Sequence, residues 1–244
     1  MILFKGRSCL KQYCPMKPIK RGFKMWVRAD SDGYMSRFEV YQGKGTGTGR
    51  EGFGLGESVV LNLCEDILGK GQKVFFDNYF TSLPILAHLR RNETWSCGTI
   101  RSNRKGLPAG LTDDKDLNRG DFDFRVSNDD ITFFKWMDVK CVHVASNHST
   151  KSTVVNRTQK DGTRAEIQCP QAIFDYNVFM GGVDKADMLC GLYGVSRKKD
   201  RGSCEVCSSK GIQSRPHSKC HICDVFLCSN GNKNCFLDFH GIAQ

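Results

Sequence analysis

The chain has 244 residues, 39% hydrophobic and 25% charged, with 25 Gly against 6 Pro; this excludes fibrous and fully disordered chains and leaves room for a medium domain plus a small satellite. No window approaches the roughly 18 consecutive apolar residues of a membrane span, and the opening Met1-Ile-Leu-Phe-Lys-Gly-Arg-Ser8 lacks the apolar core of a secretory signal. The formal charge of +10 is uneven: residues 1–28 hold Lys5, Arg7, Lys11, Lys17, Lys20, Arg21, Lys24 and Arg28 with no acid, and a second basic run follows at Arg197, Lys198, Lys199 and Arg201. Such asymmetry favours a polyanionic partner, nucleic acid above all, because each neutralised phosphate releases condensed counterions. A solvated face that keeps the chain soluble is the plain alternative.

In chain order, Phe23 to Ala29 and Met35 to Tyr41 are β-prone runs flanking Asp30-Ser-Asp-Gly33, which predicts a β-hairpin. The stretch Gly43 to Gly56 holds a formal G-x-G-x-x-G at Gly47, Gly49 and Gly52. The next helix begins too far on for its N-terminus to meet a pyrophosphate, so the stretch reads as a flexible connection. Val59, Val60, Leu63, Cys64, Ile67 and Leu68 fall at helical spacing, with Ser58 as cap and Gly69 as stop. Val74-Phe75-Phe76 predicts a strand ending at Asp77, followed by a helix capped at Thr81 or Ser82 with Pro84 in its first turn. A carboxylate where a strand leaves a sheet suits a hard cation, while a turn or cap role is the plainer reading.

Trp95 to Ile100 predicts another strand, succeeded by the basic loop Arg101-Ser-Asn-Arg104-Lys105. Asp113 to Asp130 is polar and reads as a surface insertion ahead of strands at Ile131 to Met137 and Lys140 to Ala145. Tyr176 to Tyr193 is helical in pattern, broken by Gly181-Gly182, with Asp184 and Asp187 on one face. Alternating strands and helices point to an α/β layer.

Thirteen cysteines divide into seven scattered from Cys9 to Cys190 and six between Cys204 and Cys235. Without a secretory signal a reducing compartment is expected, so the cluster reads as metal ligands and the scattered thiols as buried apolar groups. The spacing Cys204-x2-Cys207-x12-Cys220-x2-Cys223-x4-Cys228-x6-Cys235-x4-His240 offers four thiolates from two C-x-x-C pairs around Zn²⁺. Cys228, Cys235 and His240 suggest a second site, with His217 or His221 as an eighth ligand. Spacing alone leaves open whether the pairs interleave, as in RING and PHD modules. So short a segment buries little core, so metal binding must supply most of its folding free energy.

Several multi-residue blocks then agree together and in order: Phe4-Lys-Gly-Arg7, Pro15-Met-Lys-Pro18, Val74-Phe-Phe-Asp-Asn-Tyr-Phe-Thr-Ser82, Gly98-Thr-Ile-Arg-Ser-Asn103 and Gly181-Gly-Val-Asp-Lys-Ala-Asp187. Across most of residues 1–201 they resemble the piggyBac transposase family. The resemblance implies an α/β fold: a partial RNase H-like (DDE transposase) domain over 1–201, with an insertion at about 104–165, followed by a small zinc-binding cross-brace module over 202–244. It implies Asp77, Asp184 and Asp187 as catalytic carboxylates holding Mg²⁺ or Mn²⁺ for in-line phosphoryl transfer on DNA. The family's first catalytic Asp would fall just ahead of Met1, with the central strand that carries it, so the hairpin and the strand ending at Asp77 are expected to lack a shared partner. The family also continues past its S-R-K block, here Ser196-Arg-Lys198, into Trp-containing helices, whereas this chain passes from Arg201 straight to Cys204.

The sequence therefore leads to a nuclear, transposase-derived DNA-binding protein without complete cutting and joining activity. Lys5, Arg7, Lys11, Arg101, Arg104, Lys105, Arg197, Lys198 and Lys199 are the expected phosphate contacts. The alternatives are a RING- or PHD-type module with a protein partner and a residual metal-dependent nuclease; a homodimer is compatible with each.

Overall fold

The computed structural model describes residues 1–43, 49–159, 161–192, 195–197, 201–220, 223–230 and 233–240. Gly47, Lys198, Lys199 and His221, singled out above, lie outside the described residues. The acid-free N-terminal segment folds as a small antiparallel sheet of β1 (Ile2–Leu3), β2 (Lys11–Tyr13) and β3 (Arg21–Phe23) in the order β1-β3-β2. The sequence did not disclose it, because runs of two or three residues carry no readable alternation.

The predicted hairpin is β4 (Met25–Ala29) and β5 (Met35–Val40). Its turn is fixed by Asp30, whose Oδ1 accepts from the Asp32 and Tyr34 amides at 3.0 and 2.9 Å, and by Gly33 at φ +89°, where a side chain would be strained. Helix α1 (Leu55–Cys64) starts earlier than expected. Glu57 Oε2 accepts from the Gly54 amide at 2.6 Å, so Gly54 opens the helix, and Ser58 is instead buried and accepts from the Arg50 amide at 2.9 Å. Arg28 grips Asp66 with both terminal nitrogens at 2.6 and 2.8 Å and Arg37 adds a third bond at 3.1 Å, which ties the hairpin to the turn after α1. Hydrogen bonds from Arg28 first, and from Arg37, hold the Asp66 carboxyl well below the usual carboxylate range.

The main sheet uses β6 (Lys73–Phe76), β7 (Trp95–Thr99), β8 (Phe122–Val126), β9 (Thr132–Met137) and β10 (Cys141–Ser146) in the order β6-β7-β10-β9-β8. Only β6 and β7 run parallel, and α2 (Leu83–Arg91) is the crossover such a pair requires. Ser82 caps α2 by accepting from the Ile85 amide, as predicted. The segment read as a surface insertion supplies β8, the edge strand paired along β9. Charged residues at Asp121, Asp123, Arg125, Asp129 and Asp130 hid the apolar Phe122 and Phe124 between them.

Period-two alternation sends successive residues to opposite faces. Phe133 and Ala145 pack with Val60, Leu61, Ile85, Leu86 and Leu89 of α1 and α2. Phe134, Trp136 and Val144 face the other way, against the hairpin of β11 (Ser152–Thr158) and β12 (Arg164–Pro170) and the helix α3 (Gln171–Phe179). Trp136 Nε1 donates to Gln168 O at 2.8 Å. Helix α4 (Gly182–Leu192) follows after the predicted break. The hairpin β4–β5 forms a sheet of its own and β6 pairs with β7 alone among the described residues, so the two share no ladder. By contacts the chain divides into the units Met1–Val183 and Asp184–Gln244.

Asn147 is the polar knot of the first unit. At 1% exposure, its Oδ1 accepts from the Ser96 amide at 2.6 Å and its Nδ2 donates to Leu86 O and Thr94 O at 3.0 and 3.2 Å. Asn147→Ala orphans three buried backbone groups and should cost about 2–4 kcal/mol, read from urea unfolding. His148, beside it, is buried with Nδ1 3.0 Å from Ser146 Oγ and Nε2 3.5 Å from Asp175 Oδ2. Burial first, then the Lys73 charge, holds its pKa below the ordinary value. Below about pH 6.5 the unfolded chain therefore binds more protons than the folded one, so stability declines as pH falls through that window. His148→Gln should flatten the decline between about pH 7.5 and 5.5, measured as the shift in urea midpoint.

Candidate metal centre and nucleic-acid surface

Asp77 sits where β6 leaves the sheet, half-buried. Its Oδ1 accepts from the Tyr79 amide at 2.8 Å, and its carbonyl accepts from Thr81 Oγ1, also at 2.8 Å. The following loop is held from two sides. Arg101 Nε donates to Asn78 Oδ1 at 3.0 Å, and Arg104 Nη2 donates to the carbonyls of Asn78 and Tyr79 at 2.9 and 3.0 Å. Two of the expected phosphate contacts thus brace the Asp77 loop, while Lys105 is exposed. On the other side Tyr79 stacks on Trp26 with centroids 5.7 Å apart, and Lys24 Nζ lies 3.9 Å over the Trp26 ring. Burial lowers the Lys24 pKa. Asp184 and Asp187 are exposed one turn apart on α4 and belong to the second unit, Asp77 to the first.

In the second unit, Cys204 precedes α5 (Glu205–Ser209), which carries Cys207. Strand β13 (Val195–Arg197) pairs with β14 (Ser218–Cys220), and the hairpin of β15 (Ser229–Asn230) and β16 (Lys233–Asn234) leads into α6 (Cys235–His240). These elements gather Cys204, Cys207, Cys228 and Cys235, all buried, into one group, and Cys220, Cys223 and His240 into another, with ligand atoms within 4.8 Å of one another in each. The first C-x-x-C pair is thus joined by Cys228 and Cys235, and the second pair lies between them in sequence. His217 is in neither group; its Nε2 accepts from Arg201 Nε at 2.7 Å. Among the described residues no cysteine is in a disulfide.

The donor chemistry fits a metal ion. Cys207 Sγ lies 3.8 Å from Cys228 Sγ and 3.7 Å from Cys235 Sγ, and four sulfurs at about 2.3 Å from a tetrahedral ion are about 3.8 Å apart. Burial pushes the Cys204 thiol up, but hydrogen bonds from the Cys207 and Cys228 amides and from neighbouring thiols outweigh it and bring it to about 7. Burial and the neighbouring thiols push Cys235 to about 12. Cys204 is thus the more readily ionised of these two ligand candidates.

In the N-terminal sheet Lys5, Arg7, Lys17, Lys20 and Arg21 are exposed, and Lys11 Nζ donates to Gly6 O at 3.2 Å. Arg197 falls in β13. No helix among the described residues is long and apolar enough to cross a membrane.

Comparison with known proteins follows this geometry. A family model described as Transposase IS4 matches residues 1–207. The human PiggyBac transposable element-derived protein 3 is 36% identical over 196 residues, covering 77% of this chain and 33% of that protein. The human PiggyBac transposable element-derived protein 2 is 29% identical over 205 residues, covering 80% and 34%. This chain thus spans about a third of the length of those relatives. Among solved structures, a cryo-EM structure of a piggyBac transposase synaptic complex with hairpin DNA superposes with a TM-score of 0.64 at 28% identity, over 77% of this chain and 38% of that one.

Proposed function

Since the chain belongs to the piggyBac transposase family, we propose that it is a transposase-derived DNA-binding protein of the nucleus in which a basic sheet and a zinc module hold duplex DNA without complete cutting and joining. The observation that carries this reading is the acid-free segment 1–28, which presents Lys5, Arg7, Lys17, Lys20 and Arg21 on its surface. The similar solved structure, a transposase with hairpin DNA, supports the same partner class. The phosphate contacts position the chain on the duplex, and the C-terminal unit supplies what base preference there is.

Zinc suits the first donor group because its four thiolates close the coordination shell and leave no open position for substrate, as in structural sites, and the second group supplies three donors, two Cys and one His, of the types zinc takes. The passage from Arg201 to Cys204, without the family's Trp-containing helices, supports the loss of cutting and joining. Mg²⁺- or Mn²⁺-dependent nicking that disappears in Asp77→Ala and Asp184→Ala would replace this reading with a residual nuclease, those carboxylates then holding the ion beside the phosphate.

A salt titration tests the leading reading. With about five phosphates neutralised, the slope of log K against log salt is about −4.5, so duplex affinity falls about 10²- to 10³-fold from 50 to 200 mM salt. Affinity independent of salt would overturn it. The interleaved order of the sulfur donors favours a second reading, a protein-interaction module of RING or PHD type. Binding of histone tails or ubiquitin-conjugating enzymes, with no binding of DNA, would put it first.

A further inference from the structure

The three-stranded sheet has a chemically distinct face. Its register places Tyr13 opposite Arg21, and Lys11 and Ile2 opposite Phe23. Directly paired residues share a face and alternate residues return to it, so Ile2, Lys11, Tyr13, Arg21 and Phe23 lie on one side. Tyr13 is 60% exposed and Ile2 49%. The Arg21 guanidinium lies 5.1 Å from the centre of the Tyr13 ring, and Phe4 stacks on Phe23 at 4.7 Å. An exposed ring flanked by cations, in a segment without a single carboxylate, is unlike a solvated face, on which both signs mix.

We propose that this face is a stacking platform for an unpaired DNA strand: Tyr13 receives a base, and Arg21 and Lys11, on the same face, neutralise the phosphates beside it. This rests on the DNA-binding reading above and narrows its ligand. A duplex keeps its bases stacked inside, so an exposed tyrosine ring gains nothing from it beyond a phosphate contact, whereas every unpaired base offers a π-face. The charge argues against an apolar peptide, because desolvating so many cations without acidic partners is unfavourable. Arg21 over Tyr13 holds the ring in place before a base arrives, which lowers the ordering cost of binding.

The test uses the full chain and fluorescence anisotropy with a labelled mixed-sequence single strand and with the same sequence as a blunt duplex. Tyr13→Ala removes an exposed ring and leaves the fold intact, as circular dichroism of the variant checks. The expected result is a loss of single-strand affinity of about 5- to 100-fold, the worth of one stacked base, with less than a twofold change for the duplex. Tyr13→Phe should retain single-strand binding, since stacking needs the ring and not the hydroxyl. An equal loss for both ligands, or no loss for either, overturns the platform while salt-dependent duplex binding keeps the broader reading. No binding of either ligand overturns both.

Discussion

Removing metal from the C-terminal unit with a strong chelator should unfold it while leaving the first unit intact. The reason lies in what that unit buries. Its core cluster is Cys204, Cys207, Cys220, Leu227, Cys228, Cys235 and Phe236, so five of its seven members are thiols and two are ordinary apolar side chains. Burying Leu227 and Phe236 contributes only about 2–3 kcal/mol each, far less than the conformational entropy of the chain around them. Structural zinc supplies about 10–16 kcal/mol in peptides of similar donor sets near neutral pH. Limited proteolysis of the full chain is the direct measurement: cleavage between Cys204 and His240 should accelerate on chelation, with Met1 to Val183 still protected. Native mass spectrometry should show one zinc ion per donor group before treatment. Cys207→Ser, at the sulfur contacting both Cys228 and Cys235, should lose one ion, and Cys9→Ser, an exposed thiol of the other unit, none. A proteolysis pattern indifferent to the chelator would show that the sulfur groups are not what holds the unit together.

How much of this was legible follows from what each segment advertises. The hairpin at Asp30–Gly33, the strand ending at Asp77, the helix capped by Ser82 and the helix break at Gly181-Gly182 were legible because turn residues and caps act locally. The start of α1 was misplaced because Ser58 has a cap's chemistry but is spent on Arg50, while Gly54 carries no side chain to announce itself. Strands β1 to β3 are too short for alternation to show, and β8 is an edge strand whose charges mask it. The scattered thiols divide: burial pushes Cys64 and Cys169 up to about 11 and Cys97 further, as inert core groups, whereas Cys9 and Cys190 are exposed. Spacing singled out the clustered cysteines but not how they group, because which pair meets which depends on how β14 and α6 fold back. The braces on the Asp77 loop were hidden for the same reason: Arg101 and Arg104 carry the charge of phosphate ligands, and only the fold shows them bonded to Asn78 and Tyr79.

Gly98→Ala should be strongly destabilising, and the damage should fall on the loop that carries Asp77. Gly98 sits in β7 opposite Phe76, the last residue of β6. A Cβ there would overlap Thr81 Oγ1 and lie 2.5 Å from Phe76 O and 3.0 Å from the Phe76 ring. The hydroxyl is not free to retreat, since Thr81 is fully buried and donates to Asp77 O. Nor is the carbonyl, which belongs to the backbone of a paired strand. Overpacking of this kind costs about 1–3 kcal/mol where neighbours yield and more where they cannot, so a loss of about 3 kcal/mol or more is expected from urea unfolding. Thr81→Ala alone loses one buried hydrogen bond, about 1–2 kcal/mol. The double variant separates the two obstacles: with the hydroxyl gone the Phe76 carbonyl still blocks the methyl, so stability should not return to that of Thr81→Ala. If it does return, the hydroxyl was the sole obstruction and the β6–β7 backbone can shift. In the expected case the amides of residues 77–81 exchange faster with solvent in Gly98→Ala than in the unaltered chain, because the turn that closes on Asp77 O depends on the absence of a side chain at Gly98.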